Sequence, residues 1–114
     1  EHHLLLNEQN QFELVPYEQI SGAAGNSKEI RAFIFQRKGE YYVVYWHISG
    51  NKKLELPIDN NNVKLYENLG QEINLIPSQE NQTIIPADSR RYLKVNGVTK
   101  EQLIDCFVKA KILN

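Results

Sequence analysis

Apolar and polar positions are most regularly ordered between Arg31 and Pro57, RAFIFQRKGEYYVVYWHISGNKKLELP, where three apolar or aromatic runs follow one another across short turns. A period of two puts Phe33 and Phe35 on one face and Ala32, Ile34 and Gln36 on the other. In the next run Tyr41, Val43, Tyr45 and His47 oppose Tyr42, Val44, Trp46 and Ile48. The pattern predicts an antiparallel meander that turns at Lys38-Gly39 and again at Ser49-Gly50-Asn51, each turn supplying residues that tolerate positive φ. Both faces of the first hairpin are apolar, so both are expected to be covered.

Shorter runs flank the meander. HLLLNEQNQ reads as the last turns of a helix, which makes residues 1–11 a linker or a helix tail from a preceding domain. FELVPYEQI alternates as a strand does, and Pro16 within it points to an edge or entry strand. Ser21 to Glu29, SGAAGNSKE, has the composition of a flexible loop. After the polar loop IDNNNV come VKLYE, EINLIP, QTIIPA and RRYLKV, each a short strand bounded by polar turns. No crossover helix separates them, so the predicted fold is mostly β: one antiparallel β-sandwich of about seven or eight short strands. Thr99-Lys100-Glu101-Gln102 is a capping box, and it predicts one C-terminal α-helix over 99–113. On that helix Leu103, Cys106, Phe107, Ala110 and Leu113 form a stripe, with Ile104 and Val108 beside it.

Composition narrows the function classes. The chain of 114 residues suits a single domain spanning 1–114. Its 13 basic and 14 acidic residues give a formal charge of -1, which supplies no electrostatic case for nucleic acid or an anionic membrane. No apolar run approaches the roughly 18 to 20 residues that cross a bilayer. The single Cys106 can make neither an internal disulfide nor a thiolate metal site, so packing must hold the fold. The sequence holds no methionine, and we expect a processed chain or a piece of a longer one.

Candidate chemistry is sparse. Glu40, Glu55, Asp59, Glu67, Glu72 and Asp88 fall at expected turns and strand edges and read as solvated surface groups. His47 stands beside Trp46 without a Ser or Cys motif around it and reads as a hydrogen-bonded sheet histidine. Cys106, on the helix stripe, reads as a small buried apolar side chain. SGAAGNSK lacks the spacing of a phosphate loop, and Asn81-Gln82-Thr83 matches a glycosylation sequon. No catalytic, cofactor or metal residue is expected. Tyr42, Tyr45, Trp46 and Tyr66 admit two readings: packing, which two apolar faces favour, or a platform on which planar rings stack against sugar C–H faces.

The ordered string VVYWHISGNKKLELP, VKLYENLGQEI, TIIPADSRRYL and VTKEQLIDCFVKAKIL, over residues 31 to 113, resembles the C-terminal β-sandwich domain appended to (β/α)8-barrel glycoside hydrolases of Bacteroides-type bacteria. The matching segments are Val43 to His47, Ser49-Gly50, Leu54 to Pro57, Leu65 to Gly70, and Ile85-Pro86 with Arg90 to Leu93. The resemblance implies a non-catalytic accessory domain, a catalytic barrel in the parent chain as its partner, and a periplasmic or extracellular location. The family's acid and nucleophile lie on barrel loops and have no counterpart here. Carbohydrate binding through the aromatic residues is the alternative role.

Overall fold

The computed structural model describes residues 2–6, 12–47 and 51–113. Among them, ten strands pair entirely antiparallel in two sheets. In chain order these are β1 (His2–Leu6), β2 (Phe12–Gln19), β3 (Ile30–Arg37), β4 (Glu40–His47), β5 (Lys53–Leu56), β6 (Val63–Tyr66), β7 (Glu72–Ile73), β8 (Thr83–Pro86), β9 (Arg91–Val95) and β10 (Lys111–Leu113). A single turn, α1 (Ala23–Asn26), and one longer helix, α2 (Lys100–Val108), complete the fold. The larger sheet runs β1-β2-β3-β4-β9-β6-β7 and the smaller β10-β5-β8. The mostly β architecture with a C-terminal helix expected from the pattern is the one observed.

Local chemistry explains the main features. β3 and β4 are rich in β-branched and aromatic residues, which suit a pleated surface. They join at Lys38 and Gly39, whose φ angles of 53° and 79° match the right-handed twist of a two-residue hairpin. The register pairs Arg37 with Glu40 and Ile30 with His47, eight pairs without a slip. At β9 the chain returns to pair with β4, Val44 opposite Tyr92, and β6 pairs on its other side.

The inner face of the larger sheet, carrying Ile30, Ala32, Ile34, Val43, Tyr45, Val63, Leu65, Leu93 and Val95, closes on Leu54, Leu56 and Ile85 of the smaller sheet and on Leu103 and Phe107 of α2. Each fully buried Leu, Ile or Phe contributes about 1.5–3 kcal/mol relative to exposure. The two sheets are also tied by polar contacts: the Tyr45 hydroxyl donates to the Pro86 carbonyl at 2.7 Å, and the His47 amide donates to Ala87. Thr83, fully buried, has its hydroxyl oxygen 2.7 Å from both Ile58 O and Asn60 Oδ1.

Burial pushes the Tyr45 phenol far above its ordinary value of 10.0. The unfolded chain therefore ionises this tyrosine first as pH rises, and the folded state, binding the extra proton, loses stability above pH 10. We expect this residue to contribute a fall of about 1.4 kcal/mol per pH unit there. Urea unfolding between pH 8 and 11 measures it, and Tyr45→Phe is expected to flatten the slope while costing about 1 kcal/mol at neutral pH for the lost hydrogen bond. An unchanged slope in that variant would mean another group governs alkaline unfolding.

Four expectations are corrected. His2–Leu6 is a strand paired with Phe12–Pro16, not the tail of a helix, while residues 7–11 lie outside the described residues. Pro16, expected in an edge or entry strand, lies in one with a neighbour on each side, at the handover where β2 leaves β1 and begins to pair with β3 through Tyr17–Gln19. Within the expected loop, Ala23 is buried and α1 packs beside α2, so the loop is anchored to the core through this one residue; its Ala24 and Gly25 lie in the left-handed region. The capping box forms as expected, Gln102 N donating to Thr99 Oγ1 at 3.1 Å and Thr99 N to Gln102 Oε1 at 2.9 Å. The helix nevertheless stops at Val108, because Lys111–Leu113 gain a ladder on the open edge of β5. The meander is corrected as well: only its first hairpin forms, because Lys53–Leu56 pairs with β8 and β10 in the smaller sheet and the place beside β4 is taken by β9, while Ser49-Gly50 lies outside the described residues.

Candidate functional site

Three cross-strand rows make the outer face of the larger sheet. In the first, Lys64, Lys94, Tyr42, Phe35 and Tyr17 stand in register on β6, β9, β4, β3 and β2. The second holds Tyr66, Tyr92, Val44, Phe33 and Gln19, and the third places Arg31 opposite Trp46. This arrangement follows from the period of two, because every second residue of each strand lies on one face.

The rings cover one another. Phe35 and Tyr42 stack with centroids 5.3 Å apart and planes 8° from parallel, and Tyr92 meets Phe35 edge-on at 6.4 Å. Phe33 stacks on Trp46 at 5.7 Å and 21°, and Tyr17 meets Phe33 edge-on at 5.0 Å. The Arg90 guanidinium lies over both Trp46 and Tyr92, 5.8 and 5.9 Å from their ring centres. The result is a second cluster in which Val15, Phe35, Tyr42, Val44, Leu69 and Tyr92 are buried, while Tyr17, Phe33, Trp46 and Tyr66 keep part of their surface in solvent. Between Tyr17, Phe33, Val44 and Trp46 runs a shallow, largely apolar trough of about 60 Å³.

The four aromatic candidates are thus sorted. Trp46 and Tyr66 are half-buried on the outer face, and Tyr42 lies buried among the rings on the same side. Tyr45 is corrected: one residue out of phase, it points into the core with no exposed surface and cannot stack on a ligand. Phe33, Tyr17 and Arg90 were missed as parts of the face. For Phe33 the signal was present, since it shares parity with Phe35 and pairs across from Val44, neighbour of Trp46. The expectation that both hairpin faces are covered holds in part: the smaller sheet and α2 cover the inner face, and on the outer one Phe35, Tyr42 and Val44 are buried in a cluster with Val15, Leu69 and Tyr92 while Phe33 and Trp46 keep some exposed surface.

Charged groups around the sheet are mostly paired. Lys94 bonds Glu40 at 2.9 Å, which raises the lysine pKa. Arg91 bonds Asp88 and lies 3.4 Å from Glu67, and its hydrogen bond holds the Asp88 carboxyl below its ordinary value. Glu55 accepts from Gln82, and Asp59 from the amides of Asn61 and Asn81. His47, its side chain buried, has Nε2 3.4 Å from Glu29 Oε2. Burial pushes the Cys106 thiol up, away from thiolate reactivity, and burial likewise raises the Tyr66 phenol. Among the described residues, no three His, Cys, Asp or Glu side chains converge as metal ligands, and no helix is long and apolar enough to cross a membrane.

No protein-family model, curated protein or solved structure matches the chain. Its function is therefore read from the aromatic face itself.

Proposed function

We propose that this chain is a carbohydrate-binding module whose ligand lies on the outer face of the larger sheet. The observation that carries the reading is the set of partly exposed rings, Tyr17, Phe33, Trp46 and Tyr66, gathered on one face around a shallow apolar trough. A trough of about 60 Å³ is too small to enclose a drug-sized ligand, for which pockets run to about 300–1,000 Å³. It suits a flat, C–H-rich surface laid across aromatic rings, with affinity coming from ring contact and specificity from the polar groups at its margin.

Trp46 is the only tryptophan, so it reports its own occupancy. Titration of the 114-residue chain with soluble neutral and acidic oligosaccharides is expected to give a saturable change in tryptophan emission with at least one of them. A panel that leaves the emission unchanged and shows no heat of binding removes the reading.

A second reading is favoured by the buried rings beside the exposed ones, which extend the apolar face: an accessory domain that packs this face against a neighbouring catalytic barrel in a parent chain. In that case acrylamide quenches Trp46 in the isolated chain and leaves it shielded in the parent protein.

A further inference from the structure

We propose that the Asn96-Gly97 step is a modification site, at which water replaces the Asn96 side-chain amide and leaves aspartate or isoaspartate between β9 and α2. The inference is independent of the carbohydrate reading. Nowhere else in the chain does asparagine precede glycine. Valine follows Asn62, and leucine follows Asn68 and Asn74, so at those steps a side chain shields the next backbone nitrogen. At Gly97 that shield is missing.

The fold leaves both reacting groups open. Asn96 and Gly97 are exposed in the connection between β9 and α2. Among the described residues, neither the Asn96 side-chain amide nor the Gly97 N–H has a hydrogen-bond partner. By contrast, Asn68 Oδ1 accepts from the Gly70 amide at 3.0 Å, and Asn60 Oδ1 lies 2.7 Å from the Thr83 hydroxyl.

The Asn96 main chain is meanwhile held by Asn62, which continues the β6–β9 register one place beyond Val63 and Val95. Asn96 N donates to Asn62 O at 2.8 Å, and Asn62 Nδ2 donates to Asn96 O at 3.1 Å. The second bond has a chemical effect. A donor on a peptide oxygen draws charge onto that oxygen and stabilises the anion left when the adjoining N–H gives up its proton. Asn62 comes this close because residue 97 is glycine: a Cβ there would lie 3.0 Å from Asn62 Nδ2, and the φ of 76° is one that side chains rarely adopt. Asn62 is therefore a positioning residue for the step.

The reaction needs only water. Gly97 N gives its proton to solvent and attacks Cγ of Asn96; the N–Cγ bond forms, the Cγ–Nδ2 bond breaks, and ammonia leaves with a proton returned by solvent. One water then opens the cyclic imide at either carbonyl, giving aspartate or, with the main chain rerouted through Cγ, isoaspartate. The second product lengthens the main chain by a methylene group beside the Asn62 pair, and both products add a negative charge there.

Incubation of the 114-residue chain at neutral pH and 37 °C, followed by tryptic digestion, tests the site. The peptide Val95–Lys100 is expected to gain about 1 Da, to separate into two products and to accept a methyl group from isoaspartate methyltransferase, ahead of every other asparagine-containing peptide. Earlier conversion at another asparagine overturns the proposal, as does no gain in mass on Val95–Lys100. Conversion in the urea-unfolded chain while the folded chain stays unchanged over the same period also overturns it, because the fold would then shield the step. Asn62→Ala, shown to be folded by circular dichroism, is expected to convert more slowly than the unaltered protein in buffer and at the same rate in urea. A folded variant that converts as fast as the unaltered protein overturns the part given to Asn62.

Discussion

Phe107→Ala is expected to lower the unfolding free energy by about 3–5 kcal/mol, the range for a large aromatic removed from a packed interior. Phe107 has no exposed surface, its ring centre lies 6.3 Å from that of Tyr45, and it belongs to the cluster that includes Leu54, Leu56 and Ile85 of the smaller sheet. One side chain on α2 therefore touches the element that bridges the two sheets. Truncation leaves a cavity that neither sheet can fill without disturbing its ladder. Since domains of this kind are stable by only about 5–15 kcal/mol, the variant should sit close to the edge of folding at 37 °C. Urea unfolding followed by circular dichroism should show a large drop in midpoint with an unchanged m-value. A loss under about 1 kcal/mol, the scale of an ordinary surface-proximal change, would mean that α2 is not docked as described.

Trp46→Ala should do the opposite: little to the fold, much to binding. Its ring is half-buried and contacts Phe33 and Arg90, so its removal is expected to cost about 1–2 kcal/mol of stability, less than for a ring buried on all sides. Binding of a glycan on the outer face should weaken by about 30-fold or more, the scale of a central aromatic anchor. Calorimetry with the best ligand of the panel measures this. Retained affinity in a folded Trp46→Ala protein would move the ligand away from the trough. The two variants together separate the faces of a single sheet: the core side answers in stability and the outer side in affinity.

The parity of the β3–β4 hairpin was legible because a strand exposes its side-chain alternation directly in the residue order. The assignment of Phe33, Phe35, Tyr42, Val44 and Trp46 to one face and of Ile34, Val43 and Tyr45 to the other needed only counting. The same counting separates Tyr45 from Trp46, yet grouping aromatics by adjacency had placed both in one candidate platform. Strand order was not legible. Nothing in Arg91–Val95 announces that it will lie between β4 and β6, because antiparallel partners distant in sequence are chosen by how whole faces fit. The C-terminal error has a similar origin. Lys109 to Leu113 continues the apolar spacing of a helix, and only the open edge of β5 decides that Lys111–Leu113 is extended. The site was partly readable for the same reasons: ring content was visible, whereas the Arg90 contact and the Arg31–Trp46 pairing exist only once the register is set.

The late arrival of β9 governs how the molecule must assemble. β4 finds β3 at once across a two-residue turn, but its other neighbour, from Arg91 to Val95, lies across two intervening excursions into and out of the smaller sheet. Pairings so distant along the chain slow the search for the native state. During synthesis, β4 meanwhile presents a bare row of amides and carbonyls flanked by Tyr42, Val44 and Trp46, an edge suited to recruiting a second nascent chain. A chain ending short of Arg91 would carry that edge permanently, and the cell would meet it first as an aggregate.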